Sequence, residues 1–187
     1  MINYTKPLWL LFLGQLLSGA TIILSGGFET AAQLVGGILS IFALVQLAPR
    51  NLHLAKARTY MIAIYALSLV MLFGTVVFQG WLTVIGGGIA MLVLALLFAY
   101  RLLHGLADMA EEAGNAKHAQ KLREFFTITL IVSVASLVTS LVSPLLSLGS
   151  VVLVIIFSIA VMAVTAYRVY LIYGSMKIEE AFVGRAL

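Results

Sequence analysis

Three side chains that can bind metal ions or exchange protons share one helical face in the second half of the chain. His104, Asp108 and Glu111 follow one another at positions i, i+4 and i+7, a spacing that places residues on one side of an α-helix. A Gly-Asn pair at 114–115 predicts a turn that would bring His118 toward Glu111. Such residues can hold a metal ion, or act as acid and base at the level of lipid headgroups.

The rest of the sequence favours a plainer interpretation of this segment. The chain has no cysteine and no dense His/Cys ligand spacing, so we expect no metal ion and no cofactor. No nucleophile, metalloprotease or phosphate-binding motif is present. We interpret residues 102–125 as a cytoplasmic helical insertion that projects from spans four and five, with Asp108 near Lys121 and Glu112 near Lys117. The alternative is a bend at Gly105 that lays amphipathic segments on the headgroups. Its charged residues form a candidate interaction surface: His104, Asp108, Glu111, Glu112, Lys117, His118 and Lys121.

The elements that must position these residues are apolar helices. Hydrophobic residues make up 63% of the 187 residues and charged residues only 10%, and the mean hydropathy is +1.13, whereas charged residues approach a quarter of a soluble domain. We therefore predict an all-α polytopic membrane protein with six transmembrane helices arranged as three antiparallel hairpins. The predicted spans are about 8–25, 30–48, 60–79, 82–103, 126–146 and 150–173. The first run could instead be a secretory signal peptide, with Lys6 before it and Ser-Gly-Ala at 18–20.

The basic residues predict how the spans are oriented. Lysine and arginine near span ends accumulate on the cytoplasmic side of membranes. All eleven lie on one side of the predicted spans. They are Lys6, Arg50, Lys56, Arg58, Arg101, Lys117, Lys121, Arg123, Arg168, Lys177 and Arg185. We expect both termini to be cytoplasmic, in a bacterial-type inner or plasma membrane.

Short similarities among the three hairpins are compatible with divergent copies and also with chance similarity in so apolar a chain, since span six lacks the glycine pair of spans two and four. Residues 36–50 and 87–101 each begin with a glycine pair and end at an arginine, and 166–168 repeats the Ala-Tyr-Arg of 99–101. If the hairpins are copies, residues 102–125 are an insertion between the second and the third.

Small and neutral polar residues form stripes within the predicted spans. Such stripes bring membrane helices together, or alternatively line a conduit or an oligomer face. The candidate residues are Gln15 and Ser18 in span one, Gln33, Gly37 and Ser40 in span two, and Thr129, Ser133, Ser136, Ser140 and Ser143 in span five.

Three classes of function remain compatible with these features. The leading hypothesis is a non-enzymatic accessory, scaffold or regulatory subunit, because the span interiors contain no ionisable residue for a proton relay or intramembrane catalysis. The second is a channel or uncoupled small-molecule transporter, or its membrane subunit, using the polar stripes. The third is an enzyme at headgroup level. Expected partners are membrane lipids, including anionic lipid at the basic face, and a protein partner or a second copy of the chain, but no nucleic acid.

Overall fold

The computed structural model describes residues 4–20, 27–77, 81–142 and 149–185. Within them the protein is all-helical, as predicted, and contains six helices. These are α1 (Thr5–Ala20), α2 (Gly27–Leu47), α3 (Leu52–Val77), α4 (Trp81–Glu112), α5 (Ala116–Val142) and α6 (Gly149–Arg185). Four contain stretches that are long and apolar enough to cross a membrane: Leu52–Met71, Gly86–Glu112, Ala116–Thr139 and Ile155–Gly184. Ala31–Leu47 is a shorter apolar helix.

Local side-chain chemistry determines the turn between α4 and α5. Gly114 has a φ of 80°, in the left-handed region that glycine adopts without a steric penalty. The Asn115 N–H donates to the Ala110 carbonyl and the Gly114 N–H to the Glu111 carbonyl, both at 2.8 Å, which is the Schellman ending of a helix. The Asn115 side chain then accepts the His118 N–H at 3.1 Å and caps α5.

The six helices form a closed ring. Each packs on its neighbours in sequence, and α6 packs on α1. The α1–α2 and α3–α4 contacts are the most extensive, while α5 packs more extensively on α4 than on α6. The arrangement as three separate hairpins and their origin as copies therefore remain predictions.

The apolar core lies at the end of the ring that carries the α4–α5 turn. Its fully buried side chains include Leu8, Leu11, Leu44, Leu47, Leu54, Leu102, Leu103, Leu106, Leu122, Leu171 and Ile172. The expectation that residues 102–125 project from the bundle is wrong, because one face of this segment forms the centre of the core. Its apolar residues have helical spacing, as the sequence indicates, but they pack against α3 and α6 as well as against each other.

Several helices extend past the predicted spans at the core end. The third helix begins at Leu52, eight residues before the predicted start, and α6 continues to Arg185. Parts of the other predicted boundaries, around residues 21–26, 78–80 and 143–148, lie outside the described residues.

Candidate functional site

A group of polar and aromatic rings lies where α3, α4 and α5 meet. We call His53, Tyr100, Arg101, His104 and Phe126 the histidine–arginine cluster. The His53 and His104 rings stack with centroids 5.8 Å apart, and the Tyr100 ring lies 4.0 Å from that of His104 and 5.1 Å from that of Phe126. The His104 Nδ1–H donates to the Tyr100 carbonyl at 2.9 Å, which fixes the ring of His104 on its own helix.

Arg101 has hydrogen-bond donors that lack partners among the described residues. Its Nη1 lies 3.4 Å from Nδ1 of His53, so His53 accepts there as a neutral imidazole. Burial, and secondarily the positive charge of Arg101, lower the pKa of His53, whereas Asp108 acts in the opposite direction. The Arg101 Nε is buried and has no hydrogen-bond partner in the part of the chain that the structure describes.

The acidic residues of the predicted metal set face a different partner. Both carboxylate oxygens of Glu111 accept from Arg123, at 2.7 and 2.9 Å, and Asp108 lies 3.4 Å from the same guanidinium. Hydrogen bonding to Glu111 raises the pKa of Arg123. The expected pairing of Asp108 with Lys121 is therefore wrong. Within the described ranges, no group of three or more His, Asp or Glu side chains is placed to hold a metal ion.

His118 contacts α6 and not Glu111, contrary to expectation. Its Nε2 lies 3.2 Å from the Leu171 carbonyl and 3.0 Å from the Ser175 hydroxyl. A carbonyl only accepts, so Nε2 carries the proton and cannot serve as a base for Ser175. The Ser175 hydroxyl is buried and donates to the same carbonyl at 3.1 Å. This serine–histidine pair is therefore a hydrogen-bonded contact between α5 and α6 and not a nucleophile with its base.

The ends of four helices meet at a second charged group. Arg50 pairs with Glu112, so the expected partner Lys117 was wrong, and the guanidinium lies 5.2 Å from the centroid of the Tyr4 ring. Glu179 on α6 is only 3% exposed. Burial raises the pKa of Glu179, and Glu112 adds to this effect while Arg50 opposes it.

The predicted polar residues of α1 and α2 lie at a close helix contact. The buried Gln15 amide donates to the buried Ser40 hydroxyl at 3.0 Å. A Cβ added at Gly36 would lie 2.6 Å from both the Gly14 carbonyl oxygen and the Ser18 Oγ. The backbones of α1 and α2 therefore approach each other closely, which is possible because the residues between them are small.

The other two predicted residues of α2 face α3. The Tyr65 hydroxyl donates to the Gln33 carbonyl at 3.1 Å, and the Tyr65 ring occupies the space that a side chain at Gly37 would need. Gln33 itself is exposed.

The hydroxyl stripe of α5 is separate from this contact. Thr129 is buried and donates to the Phe125 carbonyl one turn earlier, at 3.0 Å, while Ser133 and Ser136 are half-buried. The side chain of Ser140, and Ser143 as a whole, lie outside the described residues. Among described residues α5 has no contact with α1 or α2, so the two sets of polar residues do not form one continuous seam.

Four residues of the predicted interaction surface are exposed. Lys117 and Lys121 are exposed, as are Glu111 and Glu112. His104, Asp108 and His118 are half-buried and take part in the contacts described above. Sequence reasoning missed His53, Ser175 and Glu179, because nothing in local spacing connects them to partners more than 40 residues away.

Comparison with known proteins gave no relatives. No protein-family model matches the chain, and neither the curated proteins nor the solved structures include a significant match.

Proposed function

We propose that this protein is an integral membrane protein whose six helices all cross the bilayer, with both termini cytoplasmic. Exposed apolar side chains support this placement. Ile38, Val70, Ile131 and Ile159 are each more than 60% exposed, and they belong to an apolar surface of a size that a soluble monomer rarely presents to water. In a membrane, lipid tails that are as apolar as these side chains would cover this surface, and it would not be exposed to water.

We further propose that the protein acts as a non-enzymatic accessory or scaffold subunit through its cytoplasmic end. The observation that carries this proposal is the location of the core. Side chains from all six helices bury one another at the charged end, so this end holds a fixed shape on which a partner can dock. Several charged groups there are already paired, Arg50 with Glu112 and Arg123 with Glu111, while Lys117 and Lys121 are exposed on α5.

Retention of a protein partner tests this function. The protein would be purified from its native membrane in mild detergent, as wild type and with Lys117 and Lys121 both changed to Gln. We expect a stoichiometric partner with the wild type and its loss with the double variant. A Lys6→Gln variant is the control, because Lys6 is also exposed but lies on α1. Retention of a small molecule with no protein partner would instead favour the transporter hypothesis.

Orientation is tested separately. A reporter that is active only outside the membrane, fused to the C-terminus, should give no signal, because all eleven basic residues lie on the side of the termini. A signal from intact protein would contradict the orientation without bearing on the helix packing.

A further inference from the structure

The histidine–arginine cluster carries positive charge that the protein does not neutralise. In the described part of the chain, no carboxylate lies within salt-bridge distance of Arg101, and the nearby Asp108 pairs with Arg123. Lys56 and Arg58, on the first turns of α3, likewise have no ion pair among the described residues. A guanidinium has five N–H donors. Among the described residues Arg101 makes one hydrogen-bond contact, the 3.4 Å approach to His53, and its guanidinium also lies 5.3 Å from the centroid of the Tyr100 ring. An oxyanion would supply the acceptors that are missing here.

An exposed apolar ridge leads along α4 to this charge. Ile89, Val93 and Leu97 recur every four residues and are all exposed, and Arg101 is the next residue at the same spacing. Residues four apart are neighbours on a helix surface, so Arg101 follows directly on the ridge that Ile89, Val93 and Leu97 form. Tyr100, half-buried beside it, is an aromatic residue of the kind that lies at headgroup depth.

Backbone contacts hold the site in place. The Asn51 side chain donates to the Gly105 carbonyl at 3.0 Å and accepts the Leu54 N–H at 2.8 Å. It thus caps α3 and ties its first turn to α4. A side chain at Gly105 would collide with Leu54, so the two helices are in direct contact at this level. His53 and Arg101 are therefore held together by the fold and not by their own weak contact.

We propose that Arg101 and His53 bind the phosphate of an anionic membrane lipid, whose acyl chain lies along Ile89, Val93 and Leu97. The neighbouring Lys56, whose charge acts on His53, repels the cation of a choline headgroup, so the site prefers a headgroup with net negative charge. This inference rests on the membrane placement proposed above, but not on the scaffold function.

Lipid retention by the purified protein tests the site. The protein in detergent would be titrated with phosphatidylglycerol or phosphatidylcholine of matched acyl chains, and bound lipid measured by native mass spectrometry. We expect preferential binding of phosphatidylglycerol. Arg101→Gln should weaken that binding by about tenfold, or about 1.4 kcal/mol, because it removes a hydrogen-bonded charge from the phosphate. Lys121→Gln removes the same charge from the same end outside the cluster, and should change the binding by less than about twofold.

Further variants and ligands keep the outcomes distinct. Lys56 is exposed, so Lys56→Glu reverses a charge at the site without a risk to folding. It should weaken phosphatidylglycerol binding more than the control Lys121→Glu does. Equal binding of the two lipids, or equal losses in the site and control variants, would overturn the proposal. Competition by glycerol 3-phosphate at the same concentration as lipid would show a site for soluble phosphate and refute the lipid. Carbonate extraction of native membranes separates this result from the membrane placement: release of the protein would refute the placement itself.

Discussion

The close approach of α1 and α2 predicts opposite effects for two glycine-to-alanine substitutions. At Gly36 the new methyl group would lie 2.6 Å from the Gly14 carbonyl oxygen and 2.8 Å from the Ser18 backbone nitrogen. Neither backbone atom can swing aside as a side chain end does, so the helices must separate. At Gly88 on α4 nothing lies within 4 Å of the added Cβ.

The magnitudes follow from helix propensity and packing. Alanine in place of a helical glycine stabilises by up to about 1 kcal/mol, and Gly88→Ala should show most of this gain. Gly36→Ala has the same gain, but overpacking costs about 1–3 kcal/mol and separation also lengthens the buried Gln15–Ser40 hydrogen bond, worth about 1 kcal/mol. We expect Gly36→Ala to destabilise by about 1–3 kcal/mol net.

Unfolding of the purified protein in detergent, followed by the loss of helical circular dichroism, measures both variants under one condition. The wild type provides the reference, and Gly88→Ala controls for the propensity gain. If Gly36→Ala stabilises the protein as much as Gly88→Ala does, α1 and α2 do not approach closely, and the small residues between them have another purpose.

Three further predictions test other parts of the structure. Leu106→Ala, within the core of the α4–α5 hairpin, should cost about 2–5 kcal/mol, whereas the same change at the exposed Leu69 should cost much less; similar losses would place the core elsewhere. Burial lowers the pKa of His118 below its usual 6.5, so the neutral form is favoured in the folded state. The free energy of unfolding should therefore be greatest above pH 6.5 and should fall as the pH drops below that value. His118→Gln should flatten this acid limb, and an unchanged pH profile would show that His118 does not sit against Leu171, Gly174 and Ser175. Because the chain has no native cysteine, Ser133→Cys can be probed with a water-soluble thiol reagent in intact membranes; it should stay unlabelled while Lys121→Cys reacts, and rapid labelling of Ser133→Cys would favour a hydrated conduit.

The features that could be predicted from the sequence are those that depend on residues close to one another in the chain. Long apolar runs require helices, because a helix satisfies its own backbone hydrogen bonds, and the structure is all-helical. The turn at Gly114 and Asn115 was also predictable, because it depends only on nearby residues. All of its hydrogen bonds, from Ala110 to His118, fall within a nine-residue stretch of chain.

The partners of those helices were decided by the tertiary structure alone. The spacing of Leu102, Leu106 and Leu122 is compatible with a hairpin that packs on itself and with one that fills the centre of a ring, because periodicity shows which face is apolar but not what covers it. The ring buries that face, and for this reason the segment is core and not a projection. In the same way His118 had carboxylates near it in sequence, yet its ring lies on Gly174, because the packing of α5 against α6 brings together residues that no local pattern connects.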